Sequence, residues 1–518
     1  MTPLGESDLC VSPSDFVLQM TGICKRFGAV QANLDVDLHV QRSTVHGIVG
    51  ENGAGKSTLM SVLYGLYPPD SGHVTIDGHV VVIASVHDAI SHGIGMVHQH
   101  FMLVDTLSAI ENVMLGAEPH ALLARASEIV RQQLLALMAS TGLKVPLDVP
   151  VGQLQVGDQQ RLEILKALYR GARILILDEP TAVLTPQETG QLFGVLRLLR
   201  SQGVTIILIT HKLKEVMRLC DDVTVMRGGR VVVRVATADT SVDQLAEAMV
   251  GRKVATGRAA GPEVIPGDIK LAATGINLLD AQGVQRLSGI DLQLRGGEIV
   301  GIAGVSGNGQ SELLEVLAGL KAPTTGTLSL AGHHFEATAW LTPTRARTLG
   351  LAHVPEDRQA RAVVMDFAAW ESAVLGYEAL PLYSRWGWML TAHMRTATRT
   401  MMDRFDVRPR QVQLKSSKFS GGNQQKLVLA RELGQAPQVL LVGQPTRGVD
   451  IGAIEFIYSQ LRALRSQGCA VLVLSSELDE ILALSDRVVV MCQGRITGEL
   501  AIDACSENQL GVLMTGGA

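Results

Sequence analysis

The chain has 518 residues, enough for two or more domains, and its net charge of −5 excludes the global basic field typical of nucleic-acid binding. Hydrophobic residues make up 47% of it, yet no stretch approaches the roughly 18 uncharged apolar residues that a membrane-spanning helix needs. Six scattered cysteines and an acidic start without an apolar core predict reduced thiols, no signal peptide and a soluble cytoplasmic protein.

The sequence repeats itself. "GIVGENGAGKST" from Gly47 recurs as "GIAGVSGNGQSE" from Gly301, and "LILDEPTAVLT" from Leu175 recurs as "LLVGQPTRGVD" from Leu440. The segment "LQVGDQQRLEILKAL" likewise returns as "FSGGNQQKLVLAREL", after a longer interval in the second copy. This repetition predicts two tandem copies of one domain. We expect an N-terminal tail over 1–15, a first domain over 16–252, a linker rich in Gly, Ala and Pro over 253–268, and a second domain over 269–518.

Strands and helices alternate within each copy. In the first, "VHGIVG" has the continuous apolar pattern of a buried strand, followed by a glycine-rich turn and the helical segment "KSTLMSVLYGL". "RILILDEP" and "VTIILITH" are further apolar runs of strand length, separated by the helical pattern "ETGQLFGVLRLLRSQG". Continuous apolar strands are typical of a parallel sheet covered on both faces. Each copy is therefore predicted to be an α/β domain.

The first copy contains a complete phosphate-binding loop. "GENGAGKST" fits G-x-x-x-x-G-K-[ST] at every fixed position, and such a loop points backbone N–H groups at phosphate oxygens. We expect Lys56 to reach the β- and γ-phosphates and the Ser57 hydroxyl to bind Mg²⁺. A tight glycine turn without a ligand is the alternative, which the flanking strand and helix disfavour. The predicted ATP-binding residues of this loop are Gly50, Glu51, Asn52, Gly53, Ala54, Gly55, Lys56, Ser57 and Thr58.

Two carboxylates end the strand "ILILDEP". Burying Asp178 at a strand end is costly without a cation, so we expect it to hold Mg²⁺, while Glu179 polarises the attacking water as catalytic base. A solvated pair at a helix end is the alternative interpretation.

These motifs resemble the ATP-binding cassette ATPases of ABC transporters over essentially the whole chain. The resemblance implies two tandem cassettes, each a mainly parallel sheet with flanking helices, an antiparallel β part and a helical subdomain. It also implies that Gln99 in "MVHQHFML" touches Mg²⁺ and water, that His211 in "ILITHKL" contacts the γ-phosphate, and that Phe27 in "KRFGAV" stacks on adenine. With Lys56 and Glu179, Gln99 and His211 form the predicted catalytic set. A bland surface histidine and a core phenylalanine are the alternatives.

The second copy is degenerate. Gln310 stands in the position of Lys56, and Gly443 and Gln444 replace the two carboxylates. Ser476 stands in the position of His211, and Glu356 lies near the position of Gln99. The degenerate set predicted here comprises Gly304, Gly309, Gln310, Ser311, Gly443, Gln444 and Ser476.

A further motif, which in this family is called the signature sequence, contains Gln155 in the first copy and Ser420 in the second. Here the first copy is altered and the second is intact. The second copy keeps Ser420, Gly421 and Gly422, whereas Gln155 and Val156 replace the corresponding residues of the first. In the family, cassettes pair head to tail, so that each ATP lies between the phosphate loop of one and the signature of the other. On that arrangement all the losses fall on a single composite site. We therefore expect one competent site, completed by Ser420 to Gly422, and one that binds nucleotide without turnover or only holds the pair together.

Several strings narrow the resemblance further. "VPEDR" and "QPTRGVDIGAIE" resemble the tandem ATPase subunits of simple-sugar and ribonucleoside importers, and Gln310 with the Gly443–Gln444 pair favours the nucleoside-importing branch. The resemblance implies ATP and Mg²⁺ as cofactors, two membrane permease subunits and an extracytoplasmic binding protein as partners, no nucleic acid, and a peripheral position on the cytoplasmic face of the inner membrane. Tandem-cassette translation factors are the alternative, but they usually keep both sites competent and have a long charged linker.

The segments between Gln99 and Leu154 and between Glu356 and Phe419 are expected to dock the permease. The second contains Trp386 and Trp388 in "YSRWGWML". Paired tryptophans suit either an interface anchor or ordinary core packing.

Overall fold

The computed structural model describes residues 16–28, 30–51, 53–98, 101–116, 123–181, 184–251, 265–305, 307–449 and 451–514. Two predicted site residues, Asn52 and Gln99, lie outside these ranges, as do the N-terminal tail and most of the linker. The chain divides into two compact units, Met1–Thr256 and Gly257–Ala518, which we call the first and second cassettes. No helix in the described parts of either cassette is both long enough and apolar enough to cross a membrane.

The first cassette contains ten strands and eight α-helices, within the ranges given above. Its strands are β1 (Phe16–Phe27), β2 (Val30–Gln41), β3 (Val45–Gly50), β4 (Ser71–Ile76), β5 (His79–Val81), β6 (Ile94–Val97), β7 (Ile174–Asp178), β8 (Thr205–Ile209), β9 (Asp222–Arg227) and β10 (Arg230–Ala236). Its helices are α1 (Lys56–Leu63), α2 (Val86–Ser91), α3 (Ala109–Met114), α4 (Leu123–Thr141), α5 (Val156–Tyr169), α6 (Pro186–Ser201), α7 (Leu213–Leu219) and α8 (Val242–Val250).

The second cassette repeats this order and adds one short hairpin, β17 and β18, and one short helix, α11. Its strands are β11 (Ile269–Leu279), β12 (Gln285–Arg295), β13 (Ile299–Ala303), β14 (Thr325–Leu330), β15 (His333–Glu336), β16 (Leu351–Val354), β17 (Ser384–Arg385), β18 (Trp388–Met389), β19 (Val439–Gly443), β20 (Ala470–Leu474), β21 (Arg487–Cys492) and β22 (Arg495–Ala501). Its helices are α9 (Gln310–Leu317), α10 (Pro343–Thr348), α11 (Arg358–Arg361), α12 (Ala369–Val374), α13 (Thr391–Arg404), α14 (Gly421–Leu433), α15 (Ile451–Ser466), α16 (Leu478–Leu484) and α17 (Glu507–Met514).

A six-stranded, mainly parallel sheet forms the centre of each cassette. The strand order is β6-β7-β8-β3-β9-β10 in the first and β16-β19-β20-β13-β21-β22 in the second, and only the last strand of each is antiparallel. The apolar runs β3, β7 and β8 are buried along their whole length, as strands covered on both faces must be. Asp178, the last residue of β7, pairs with Ile209, the last of β8, so the motif residues meet at the carboxyl edge of the sheet. Ligands of open α/β sheets bind at this edge.

A four-stranded antiparallel sheet accompanies each parallel sheet, in the order β2-β1-β4-β5 and β12-β11-β14-β15. Their inward residues alternate with exposed ones, for example along β12, and join the core formed with α1 or α9. The helical part comprises α3 to α5 in the first cassette and α11 to α14 in the second. These features agree with the predicted fold class of two tandem α/β cassettes, each with an antiparallel part and a helical part.

Candidate functional site

The phosphate loop of the first cassette joins the end of β3 to the start of α1. Helix α1 begins after Gly55, whose φ of 99° is open to glycine but strained for other residues, and a Cβ there would lie 2.3 Å from the Ala32 carbonyl oxygen. The first-turn N–H groups of α1 have no partner within the helix, so they remain available to an anion. The loop therefore has the form that phosphate binding requires.

Lys56 is buried inside this loop. Its Nζ donates to the carbonyl oxygens of Gly50 at 2.8 Å and Glu51 at 3.0 Å. Burial lowers the pKa of Lys56, while the nearby carboxylates of Glu179, Asp178 and Glu51 act in the opposite direction. The ammonium group is thus held near the two strand-end acids. A bound phosphate would add negative charge beside it and so offset the effect of burial on the charged form.

Asp178 has the properties of a cation ligand. Burial is the main cause that raises its pKa, followed by the neighbouring charge of Glu179, while a hydrogen bond with Ser57 and the charge of Lys56 lower it. A buried carboxylate that touches a hydroxyl supplies two of the oxygen ligands that Mg²⁺ prefers, and the cation would stabilise the ionised acid. The residues present therefore fit the predicted Mg²⁺ site.

Glu179 and His211 form a close pair. Glu179 Oε1 lies 2.8 Å from His211 Nδ1. Burial on its own would raise the pKa of Glu179, but the His211 contact and the charges of Lys56 and Lys212 outweigh it, so the net pKa is lowered. Glu179 also has a left-handed backbone, with φ of 48°, which is unusual for a residue other than glycine. The Glu179 carboxylate is therefore favoured in its ionised form and held against His211 at the carboxyl edge of the sheet.

Phe27 ends β1 and is 42% exposed. Its ring meets Tyr67 edge-on at 5.1 Å between ring centroids, and Lys25 Nζ lies 5.6 Å from its centroid. Because the ring is not packed in the core, the core interpretation of Phe27 is wrong. The exposed ring remains available for stacking on a base.

The two signature sequences open helices but differ at the first residues. Ser420 caps α14, accepting a hydrogen bond from the Asn423 backbone N–H at 3.4 Å, whereas Gln155 precedes α5 without a side-chain cap. A Cβ at Gly421 would lie 2.4 Å from an Arg358 guanidinium nitrogen, and Arg358 also donates to the Arg447 carbonyl oxygen at 2.8 Å. Sequence reasoning missed this arginine, although it lies within the quoted "VPEDR" string.

The degenerate loop of the second cassette keeps the shape of the first. Helix α9 begins after Gly309 with φ of 97°, and Gln310 Nε2 donates to the Val305 carbonyl oxygen at 3.0 Å. Val305 occupies the place that Glu51 has in the first loop, so the Gln310 amide reproduces one of the two lysine contacts without its charge. The substitution preserves the loop and removes the cation.

Gly443, which stands in the position of Asp178, is required by packing as well as lacking a carboxylate. A Cβ at Gly443 would lie 2.5 Å from Glu356 Cγ and 3.0 Å from the Glu356 backbone nitrogen. The Glu356 side chain therefore fills the space in which an aspartate at 443 would begin. Sequence reasoning counted the two positions separately, because nothing local shows that β16 and β19 bring them together.

Gln444 and Ser476 form a neutral version of the Glu179–His211 pair. Gln444 Oε1 accepts hydrogen bonds from the Ser476 N–H at 3.3 Å and hydroxyl at 3.2 Å. The backbone of Gln444 is also left-handed, with φ of 50°. The pair keeps its position and its contact but has no group that could act as a base.

Comparison with known proteins places these observations in a family. The ABC transporter family model matches residues 34–182 and 287–447. The chain is 42% identical to the nucleoside import ATP-binding protein NupA of Lactococcus lactis, covering 97% of this chain and 99% of that protein. It is 43% identical to the guanosine import ATP-binding protein NupO of Bacillus subtilis, over 97% and 98%, and 37% identical to the ribose import ATP-binding protein RbsA of Chromobacterium violaceum, over 96% and 97%.

Solved structures share the tandem fold at lower identity. One is the archaeal ribosome recycling factor aABCE1 in complex with the stalk protein aP1, with a TM-score of 0.62, 19% identity, and coverage of 93% of this chain and 90% of that one. This likeness shows the fold alone, so the translation-factor alternative has weaker support than the full-length similarity to import proteins at twice that identity. The chain is an ATP-binding, ATP-hydrolysing member of the ABC transporter family, similar over its whole length to importer subunits of the nucleoside and simple-sugar branch.

Proposed function

We propose that this protein, bound at the cytoplasmic face of the membrane, powers the uptake of a nucleoside. An extracytoplasmic binding protein would deliver the nucleoside to two membrane permease subunits, through which it crosses the membrane. The observation that carries the proposal is the unequal pair of cassettes. The first has Lys56, Asp178, Glu179 and His211 gathered at one sheet edge, and the second has a neutral group at each corresponding place. The most similar import proteins named above act on a nucleoside and on guanosine, which supports the substrate class.

In the first cassette, Glu179 takes a proton from the attacking water, and His211 orients the carboxylate through the 2.8 Å contact. Lys56 and the first-turn N–H groups of α1 hold the phosphates. Asp178 and Ser57 would hold Mg²⁺, with Gln99 as a further ligand, and the ion would neutralise charge on the phosphate oxygens. Phe27 would stack on the base. Each of these side chains has a role that the second cassette cannot perform.

We also propose that the working site is composite, with the first-cassette loop completed by Ser420, Gly421 and Gly422. This proposal rests on the distribution of changes along the sequence. If the second cassette had simply decayed, Gln155 and Val156 would have no reason to differ from a standard signature, and the Ser420 segment would have no reason to be intact. Pairing of each loop with the other cassette's signature assigns every change to one site. That second site would bind nucleotide without turnover.

Reconstitution of the chain with its permease subunits and binding protein in proteoliposomes tests this function. We expect ATP-dependent uptake of radiolabelled nucleosides, with ATP hydrolysis stimulated by the loaded binding protein. Uptake of ribose but not of nucleosides would show that the substrate class is wrong. A chain that does not associate with membranes and instead co-sediments with ribosomes would favour the translation-factor function.

A further inference from the structure

A second aromatic ring lies beside Phe27 in the first cassette. The side chain of Tyr67, which follows α1, meets the Phe27 ring edge-on, with 5.1 Å between the ring centroids and 77° between the ring planes. Tyr67 is 44% exposed, much as Phe27 is, so the two rings form a pair that the core does not enclose. Edge-to-face contact of this kind is attractive and gives the two rings a preferred orientation relative to each other.

Hydrogen bonds hold the segment that carries Tyr67 against the end of β1. Lys25 Nζ donates to the Pro68 carbonyl oxygen at 2.7 Å and to Asp70 Oδ1 at 3.0 Å. Asp70 Oδ2 accepts a hydrogen bond from the Arg26 backbone N–H at 2.7 Å. We call these three contacts the clasp. Because Tyr67 directly precedes Pro68, the clasp determines where its ring stands at the end of the strand.

The strands that support the aromatic pair have the same register in both cassettes. Cys24 pairs with Ser71 in the first cassette, and Asn277 pairs with Thr325 in the second. The sequences "TGICKRF" and "TGINLLD" therefore align, as do "GLYPPDSG" and "GLKAPTTG". Each position of the aromatic pair thus has a defined counterpart in the second cassette, which serves as an internal comparison.

The second cassette forms the same turn from other residues. The Thr324 backbone N–H donates to the Asn277 carbonyl oxygen at 2.7 Å, and the Thr324 hydroxyl accepts a hydrogen bond from the Leu279 N–H at 2.9 Å. Asp70 makes the two corresponding contacts in the first cassette. Since the turn folds in this way without an aromatic pair, the two rings of the first cassette are not needed for its shape.

Neither ring has an aromatic counterpart in the second cassette. Asp280 stands in the position of Phe27, and Lys321 stands in that of Tyr67. The Asp280 carboxylate accepts hydrogen bonds from two backbone N–H groups of its own turn and pairs with Arg286 at 2.8 Å. Both rings are therefore absent from the cassette that also lacks the catalytic side chains, which links Tyr67 as well as Phe27 to the nucleotide.

We propose that Tyr67 is a positioning residue for the nucleotide base of the working site, because its ring holds the Phe27 ring in the orientation that stacks on the base. This inference rests on the proposed function, in which Phe27 makes that stacking contact. Tyr67, placed by the clasp, restricts rotation of the Phe27 ring before the nucleotide arrives. Less conformational entropy is then lost when the base binds.

Steady-state ATP hydrolysis by the full chain tests this role, because in the proposed function the working site alone turns ATP over. We expect Tyr67→Leu to raise the KM for ATP about three- to tenfold and to leave kcat within about twofold, since the base and the γ-phosphate are at opposite ends of the nucleotide. Tyr67→Phe keeps the ring contact and should match wild type. Lys321→Leu, at the corresponding position of the second cassette, is the matched control and should leave both constants unchanged.

Inorganic tripolyphosphate separates positioning of the base from support of the phosphate loop, because it has the phosphates without the base. Its Ki as a competitive inhibitor of ATP hydrolysis should be the same for wild type and for Tyr67→Leu. A double variant adds a second check. Phe27→Ala/Tyr67→Leu should have the KM of Phe27→Ala alone, since no Phe27 ring is left to be positioned.

Three results would overturn the inference and leave the stacking role of Phe27 standing. The first is an unchanged KM in Tyr67→Leu beside a raised KM in Phe27→Ala. The second is a rise in the Ki of tripolyphosphate that matches the rise in KM, which would mean that Tyr67 supports the fold of the loop. The third is additivity of the two substitutions, which would mean that Tyr67 acts independently of Phe27. An unchanged KM in Phe27→Ala would reject the stacking contact itself, and the inference with it.

Discussion

A side chain added at Gly443 should destabilise the second cassette, because the space beside its Cα is already occupied. The new Cβ would lie 2.5 Å from Glu356 Cγ, and rotation of that side chain would still leave the Glu356 backbone nitrogen at 3.0 Å. Overpacking of this kind costs about 1–3 kcal/mol. At about 2–4 °C per kcal/mol for a domain of this size, Gly443→Ala should lower the melting temperature of the second cassette by about 2–12 °C.

Tryptophan fluorescence measures this cassette selectively. All four tryptophans of the chain lie in the second cassette: Trp340, Trp370, Trp386 and Trp388. A thermal scan of the full chain followed by tryptophan emission therefore reports the unfolding of that cassette. Gln444→Glu is the control, since a carboxylate oxygen can accept the two Ser476 hydrogen bonds as the amide oxygen does. Its melting temperature should stay within about 1–2 °C of wild type.

Two further variants separate the steric cause from charge. Glu356→Ala removes the clashing Cγ, so Gly443→Ala/Glu356→Ala should recover part of the loss and give a coupling energy of about 0.5 kcal/mol or more. Gly443→Asp adds a carboxylate beside Glu356, and two such neighbours raise the folded-state pKa of one of them. Stability is lost as pH rises through a raised carboxyl pKa, so Gly443→Asp should be less stable at pH 8 than at pH 5, unlike Gly443→Ala. A Gly443→Ala protein that melts with wild type, or no rescue by Glu356→Ala, would refute the packing argument.

Three other expectations concern ATP. Glu179→Gln should lower hydrolysis by about 10²–10⁴-fold with ATP binding retained, and Gln444→Glu should change the rate little; near-normal turnover of Glu179→Gln would reject the base assignment. In the assembled complex, Ser420→Arg should reduce hydrolysis by about 10²–10³-fold while Gln155→Arg keeps most of it, and the reverse ranking would contradict the composite site. Phe27→Ala should weaken ATP binding by about 5- to 150-fold in a fluorescent-nucleotide titration, and an unchanged Kd would contradict stacking of the ring on the base.

Much of the fold could be predicted because its signals are local. The apolar run that ends at Asp178 and the glycines before Lys56 and Gln310 determine where strands end and helices begin, and the structure places them so. The family assignment follows from the order of these motifs and is confirmed by the comparisons. The individual roles of the site residues, and the composite pairing, stay predictions.

The remaining features depend on contacts between distant segments. The fit of Glu356 against Gly443 requires the register of β16 with β19. Side-chain volumes that match across a sheet leave no periodic pattern in either segment. The exposure of Trp386 and Trp388 could not be settled from sequence, because aromatic residues in a short hairpin fit a core and an interface equally well.

The amide of Gln310 holds a phosphate loop together without a lysine, and this has a genetic consequence. Shape and chemistry are separable in this loop, so a Lys56→Gln allele would encode a chain that still folds, is still made in normal amounts and still takes its place in the transporter. Each such chain would exclude an active one from its permease. A cell that carries both alleles would therefore lose transport in proportion to the share of altered chains, so the mutation would be partly dominant.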